Sequence, residues 1–318
     1  MIRKITLPVV LGLLIGISGC FPEVESDLEL AIERDDKLLA DYLSRNNIDA
    51  IETQVGYFYQ KDISNETGNQ IVNNDNIGVY YEIKTIDGQL IEDYTDENKP
   101  PRIFRYTEGG LIPRAINFGS GLAKTGESFT LYVPSYLAYQ EYSYQQLILP
   151  NSNLVIKVKY AETYTNNEIK EMEEEMILDY ISEKNLEGFI KTADSIYVKT
   201  TKAGEAESKV TVNGDIINFT YKILQLDSQT PFAQSIGTTP FQVTVGSESN
   251  PKFLNFSLKG LKKGQEIEVI IPSHLGFGVS AQVFPFTIRK DLFDKGFLTQ
   301  IARPFEPMIF KVTVTNIR

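Results

Sequence analysis

The 318-residue sequence has no Trp, one Cys and one His. A single Cys excludes any disulfide within the chain. One Cys with one His leaves no set of ligands for the usual zinc or iron–sulfur sites, so neither metal nor cofactor is expected. Positive charge is also in deficit: 31 Lys and Arg stand against 42 Asp and Glu, a formal charge of −11. Such a surface repels phosphate backbones and argues against nucleic acid as a partner. No apolar run reaches the ~20 residues that a membrane-spanning helix needs. What is plentiful is Tyr (17), Phe (18) and Gly (22), the composition of a strand-rich chain with many turns. At 42% hydrophobic, the chain can bury ordinary cores, and its length suits two domains.

The N-terminus reads as an address. Met1-Ile2-Arg3-Lys4 is basic, residues 5–17 are mostly apolar, and Ser18-Gly19 leads into Cys20. This is the form of a secretory signal, and small residues before the sole Cys resemble a bacterial lipobox. Residues 1–19 are then a lipoprotein signal peptide, and Cys20 is the lipidated first residue of the mature chain. Several acyl chains hold a protein stably at a bilayer. Phe21 is not the Asp that retains lipoproteins at the inner membrane of well-known bacteria. The expected location is therefore the bacterial cell envelope, lipid-anchored at the outer membrane, on its periplasmic or surface face. Residues 20–34, with Glu23, Glu25, Asp27 and Glu29, read as a solvated tether.

Beyond the tether the chain repeats itself. Asp41-Tyr42-Leu43-Ser44 returns as Asp179-Tyr180-Ile181-Ser182, 138 residues on. Gly126 returns as Gly264, and Val133-Pro134-Ser135 as Ile271-Pro272-Ser273, at the same spacing. Pro150 and Pro304 stand 154 apart, so the second copy is longer there by 16 residues. A period this long means two copies of one domain, at 35–165 and 166–318, with an insertion at 279–300. Each copy opens on an amphipathic helix. Leu38, Leu39, Tyr42 and Leu43 form the first apolar stripe; Met172, Met176, Ile177, Tyr180 and Ile181 form the second. The run Glu173-Glu174-Glu175 reads as a solvated helix face. Period-two alternation follows, with Val79, Tyr81 and Ile83, then Phe129, Leu131 and Val133, then Leu154, Ile156 and Val158 on the buried side. Asp87-Gly88 supplies a hairpin turn. The fold class is α+β with antiparallel sheets.

The order of these elements resembles the FKBP-type peptidyl-prolyl isomerases. In the first copy the resemblance runs over residues 70–162: Tyr81, Asp87-Gly88, Ile91-Glu92, Leu111-Ile112-Pro113, Gly126-Glu127, Val133-Pro134, Ala138-Tyr139, and Ile148-Leu149-Pro150 before Leu154-Val155-Ile156. In the second it runs over 209–318: Gly214-Asp215, Tyr221, Phe232, Phe241, Gly246, residues 261–264, Ile271-Pro272, Gly276-Phe277-Gly278, and Pro304 before Ile309-Phe310. The resemblance implies two tandem domains, each an antiparallel sheet wrapped on a short helix. It also implies an apolar pocket in each that takes proline. In the first copy this pocket would be formed by Tyr81, Ile91, Ile112, Ile148 and Ile156, with Tyr139 donating to a ligand carbonyl and Glu92 where the family has Asp. In the second it would be formed by Tyr221, Phe232, Phe241, Leu254, Phe277 and Phe310.

Both copies depart from the family pattern. The pocket-floor Trp is absent from each, with Ala115 or Ile116 there in the first and Leu254 in the second. Ala233 stands for the acid of the second copy and Phe277 for its hydroxyl-bearing Tyr. Rotation about an X–Pro amide meets a barrier of about 18–20 kcal/mol, and a dry pocket that prefers the twisted amide lowers it without nucleophile or metal. The leading expectation is a membrane-anchored peptidyl-prolyl isomerase acting on proline-containing exported polypeptides. The alternative is an FKBP-like binding module, a chaperone or envelope scaffold with weak or no catalysis. The insertion, rich in Phe and with Arg289, Lys290 and Lys295, reads either as a lid or docking helix, or as an element packed on its own sheet.

Overall fold

Each copy begins on a helix whose apolar stripe needs a sheet to cover it. Helix α1 (Asp27–Arg45) leads into strands β1 (Ile51–Glu52), β2 (Phe58–Ile63), β3 (Asn76–Thr85), β4 (Leu90–Tyr94), β5 (Arg102–Arg105) and β6 (Leu111–Ile112). Helix α2 (Arg114–Ser120), β7 (Glu127–Val133) and β8 (Leu154–Tyr164) complete the first copy. The second follows with α3 (Asn166–Glu183), β9 (Ile190–Lys191), β10 (Tyr197–Lys202), β11 (Ile216–Gln225), β12 (Ala233–Gln234), β13 (Phe241–Thr244), α4 (Lys252–Leu258) and β14 (Glu266–Ile271). Then come β15 (Gln282–Val283), α5 (Arg289–Asp294) and β16 (Met308–Ile317). This computed structural model describes residues 27–276 and 280–318. The expected signal peptide, Cys20, Phe277 and Val279 at the start of the insertion lie outside them.

The two sheets have one topology. The first runs β1-β2-β7-β8-β3-β4 with β5 beside β3, and the second runs β9-β10-β14-β16-β11-β12 with β13 beside β11. All of these pairings are antiparallel, as alternation and short turns require. The alternating residues Val79, Tyr81, Ile83, Leu131, Ile156 and Val158 turn inward onto α2. Tyr132 and Val155 on the opposite face receive Leu39 and Leu43 of α1. Helix α3 covers the second sheet in the same way, through Ile177 against Tyr197, Ile270 and Ile309. Gly126 and Gly264, at φ +82° and +76°, make the repeated turn that lets β7 and β14 begin. The X–Pro bonds Ile112–Pro113 and Phe284–Pro285 are cis.

Three expectations need revision. The first helix begins at Asp27, so residues 27–34 are helical where a tether was expected. Glu173 is not on a solvated face: it is 1% exposed and accepts from the Ser273 amide at 2.7 Å and from the Ser273 hydroxyl. Asp35 does the same in the first copy, accepting from the Ser135 amide at 2.8 Å and its hydroxyl at 2.5 Å. The acid and the serine both repeat at 138 residues, so each leading helix is latched to its sheet by one buried carboxylate. The third revision concerns the insertion. Val283, Phe284, Ile288, Leu292 and Leu298 are buried in the core of the first copy, not against their own sheet.

Candidate functional site

The first site is built where β3, β4 and β5 run side by side. Register sets Glu92 opposite Ile83 and Arg102 opposite Val79, which brings both charged side chains to Tyr81. The Tyr81 hydroxyl donates to Glu92 Oε2 at 2.7 Å and accepts from Arg102 Nη1, whose guanidinium also pairs with Glu92 Oε1 at 2.8 Å. Burial drives the Tyr81 phenol well above its usual pKa, and the Glu92 charge adds to this against the pull of Arg102. Burial alone would lower the Arg102 guanidinium, but Tyr81 and Glu92 outweigh it and the net direction is up. The triad is therefore a fixed ion pair bridged by a neutral phenol, a rigid wall with no proton to give at neutral pH.

Around this wall lie Ile91 (7% exposed) and the fully buried Ile148 and Ile156, with Ile112 partly buried beside them. Tyr139 closes the group from the turn after β7. Burial, then Glu92 and Tyr142, raise its phenol well above the usual value, so it is a donor at any physiological pH. Ala115 and Ile116 on α2 are both fully buried at the floor. The structure thus brings together Tyr81, Ile91, Glu92, Ile112, Tyr139, Ile148 and Ile156. Sequence reasoning missed Arg102, although alternation within β5 puts it on the same face as the buried Phe104.

This hollow is filled, and by the second copy. Strand β15 pairs parallel with β6, Gln282 opposite Leu111 and Val283 opposite Ile112. The Gln282 amide donates to the Gly110 carbonyl at 2.9 Å and the Phe284 amide to the Ile112 carbonyl at 2.8 Å. The Phe284 ring, fully buried, stacks on Tyr81 with centroids 4.3 Å apart. The Tyr139 hydroxyl donates to the Phe284 carbonyl at 2.7 Å. That carbonyl belongs to the amide joining Phe284 to Pro285. Phe286 then lies against the Arg102 guanidinium, 3.8 Å from ring centroid to Cζ.

The second site keeps rings and loses charges. Ala233 faces Ile223 as Glu92 faces Ile83, and Phe241 faces Phe219 as Arg102 faces Val79. Tyr221 therefore sits among rings: Phe241 at 5.8 Å and Phe310 at 6.2 Å. Phe253, beside the expected Leu254, meets Phe310 edge-on at 5.1 Å, while Leu254 itself is 8% exposed. Phe232 packs partly buried against the same cluster, and Phe241 is 48% exposed. A depression of about 520 Å³ on this copy reaches Tyr221 but is otherwise lined largely by polar groups, among them Thr220, Lys222, Glu266, Glu268 and Lys311.

Two sheets of one topology, each wrapped on a short helix, with an aromatic and aliphatic cluster at the helix–sheet junction, define a tandem of α+β domains of one class. A family model described as FKBP-type peptidyl-prolyl cis-trans isomerase matches residues 68–161 and 207–315, well over half of the chain. The chain belongs to the FKBP-type peptidyl-prolyl cis-trans isomerase family, with two such domains in tandem. Among solved structures it is similar to the three FKBP domains of wheat FKBP73 (18% identity, 85% of this chain and 99% of that one, TM-score 0.32). It is also similar to FkpA from Escherichia coli (24%, 43% and 62%, TM-score 0.35). A third likeness is to a peptidyl-prolyl isomerase from Pseudomonas syringae (19%, 44% and 98%, TM-score 0.36). No curated protein matches the chain significantly.

Proposed function

We propose that the first copy is a peptidyl-prolyl cis-trans isomerase and the second an FKBP-like binding module. One observation carries this reading: the Tyr139 hydroxyl holds the carbonyl of a Phe–Pro amide inside a dry, aromatic site. An X–Pro bond placed there has its carbonyl anchored while its proline side is left to apolar walls. The amide loses charge separation as it twists, so surroundings of low polarity favour the twisted form over the planar one. Nothing need be protonated or cleaved, and the raised pKa of Tyr139 suits a group that only donates. In the second copy, Ala233 and Phe241 replace the ion pair, which supports binding of apolar segments without the polar wall.

The basic–apolar leader and Ser18-Gly19-Cys20 support anchoring by a lipid on Cys20 in the bacterial envelope, at the outer membrane, where the clients are exported polypeptides. Acceleration of a proline-limited refolding reaction by the full mature chain, in the wild type and in an open-site variant Phe284→Asp, tests the catalytic part. No acceleration by either protein refutes it.

A further inference from the structure

We propose that residues 282–286 are a resident ligand of the first copy's proline site, and that clients reach the site only by displacing them. This rests on the isomerase reading of the site and adds its regulation. The segment makes the contacts of a bound peptide and not merely those of a packed loop. It lies extended along the edge of β6 with two backbone hydrogen bonds, sets an aromatic ring on Tyr81, and offers an X–Pro carbonyl to Tyr139.

The element that carries this tip is built to hold its shape alone. Arg289 is 3% exposed and pairs with no carboxylate among the described residues. Its guanidinium donates to the carbonyls of Ala281 (2.8 Å), Gln300 (3.1 Å), Ile301 (2.9 Å) and Ala302 (2.5 Å) and to the Ser280 hydroxyl (3.0 Å). Those five groups lie at the two ends of the insertion, so Arg289 ties its neck shut independently of the first copy. Polar contacts at the rim are few and partly solvated: Tyr142 donates to Asp291 at 2.8 Å, and Lys295 donates to the Ser143 carbonyl at 3.2 Å. Contacts of this kind break at little cost. Beside the docked element the copies are separated by a cleft of about 280 Å³ between Tyr94 and Pro101 on one side and Met172 and Met176 on the other. Withdrawal of the tip uncovers Val283 and Phe284, now buried in the first core, but leaves the neck bonds of Arg289, which are internal to the second copy, in place.

A tethered segment competes at an effective concentration on the order of millimolar, so a free proline peptide of ordinary affinity is excluded until the tip leaves. The test is binding of a labelled peptide with the sequence of residues 280–290 to the full mature chain, followed by fluorescence anisotropy. Phe284→Asp places a charge where the ring is buried and expels the tip. The peptide is expected to bind this variant about tenfold or more tighter than the wild type. A second protein, with Gln282→Cys and Leu111→Cys at paired positions, keeps the tip in place when oxidised. It should bind the peptide only after reduction. Equal affinity in wild type, Phe284→Asp and both redox states of the paired-cysteine protein overturns the proposal and leaves the insertion a fixed strut between the copies. Peptide binding released by Phe284→Asp without acceleration of proline isomerisation upholds the proposal and defeats the isomerase reading, so the two fail separately.

Discussion

Removing one oxygen atom isolates what Tyr139 contributes. Tyr139 is 6% exposed, and its hydroxyl donates at 2.7 Å to a carbonyl that lies against fully buried rings. Tyr139→Phe keeps the ring and its packing and deletes only the donor. A buried carbonyl left without its donor loses about 1–3 kcal/mol. At 1.36 kcal/mol per factor of ten, this is a roughly 5- to 150-fold fall in the isomerisation rate constant if the twisting amide relies on that bond. The variant should be made in the Phe284→Asp background, because in the wild type the same hydroxyl also holds the docked tip, and its loss would open the site while weakening it. The assay is kcat/KM on a Phe–Pro peptide, with thermal midpoints recorded for both proteins. An undiminished kcat/KM at unchanged thermal midpoint refutes the assignment, since the carbonyl would then have no use for the donor.

Other perturbations follow from the same geometry. Burial pushes the Glu173 carboxyl up to about 7 from an ordinary 4.5, against the two donors of Ser273. The folded state then keeps a proton that the unfolded state releases, so stability is greatest below about pH 4.5, falls as pH rises through 7, and is level beyond. Two to three pH units at 1.36 kcal/mol each make the fall about 3 kcal/mol. Urea midpoints at pH 5 and pH 8 should show it in the wild type and not in Glu173→Gln, and a pH-independent wild type contradicts the burial argument. Arg289→Met strips five neck groups of their donor and should speed limited proteolysis within 280–302 about tenfold or more; unaltered cleavage would show that the neck closes without it. Cys20→Ser should abolish fatty-acid labelling and move the protein out of the membrane fraction, and a variant that stays there contradicts the anchor.

Much of the site was readable because it is local. Tyr81, Glu92 and Tyr139 sit at fixed offsets from turns and prolines, and alternation assigns Ile148 and Ile156 an inward direction without knowledge of any partner. Arg102 was equally available, two residues before the buried Phe104 on a short strand, but a charged residue directly after two prolines reads as surface. Glu173 shows the opposite difficulty. Three consecutive glutamates look alike in one dimension, and only the helix rotation and the amide of Ser273, 100 residues away, select the one that is buried.

The amino-acid order by itself determined two copies, the α+β class of each, and the aromatic character of both sites. These rest on periodicity, turn chemistry and a 138-residue repeat, all of which are short-range or internal to the chain. Tertiary structure alone decided where the extra residues of the second copy go. Hydrophobic burial is non-directional, so a Phe-rich segment specifies that it must be covered and not by what. The pairing of Val283 with Ile112, the ring of Phe284 on Tyr81 and the bond from Tyr139 join residues more than 140 positions apart. Shape and hydrogen-bond complementarity, which exist only once both sheets are formed, chose the hollow of the neighbouring copy over the segment's own sheet.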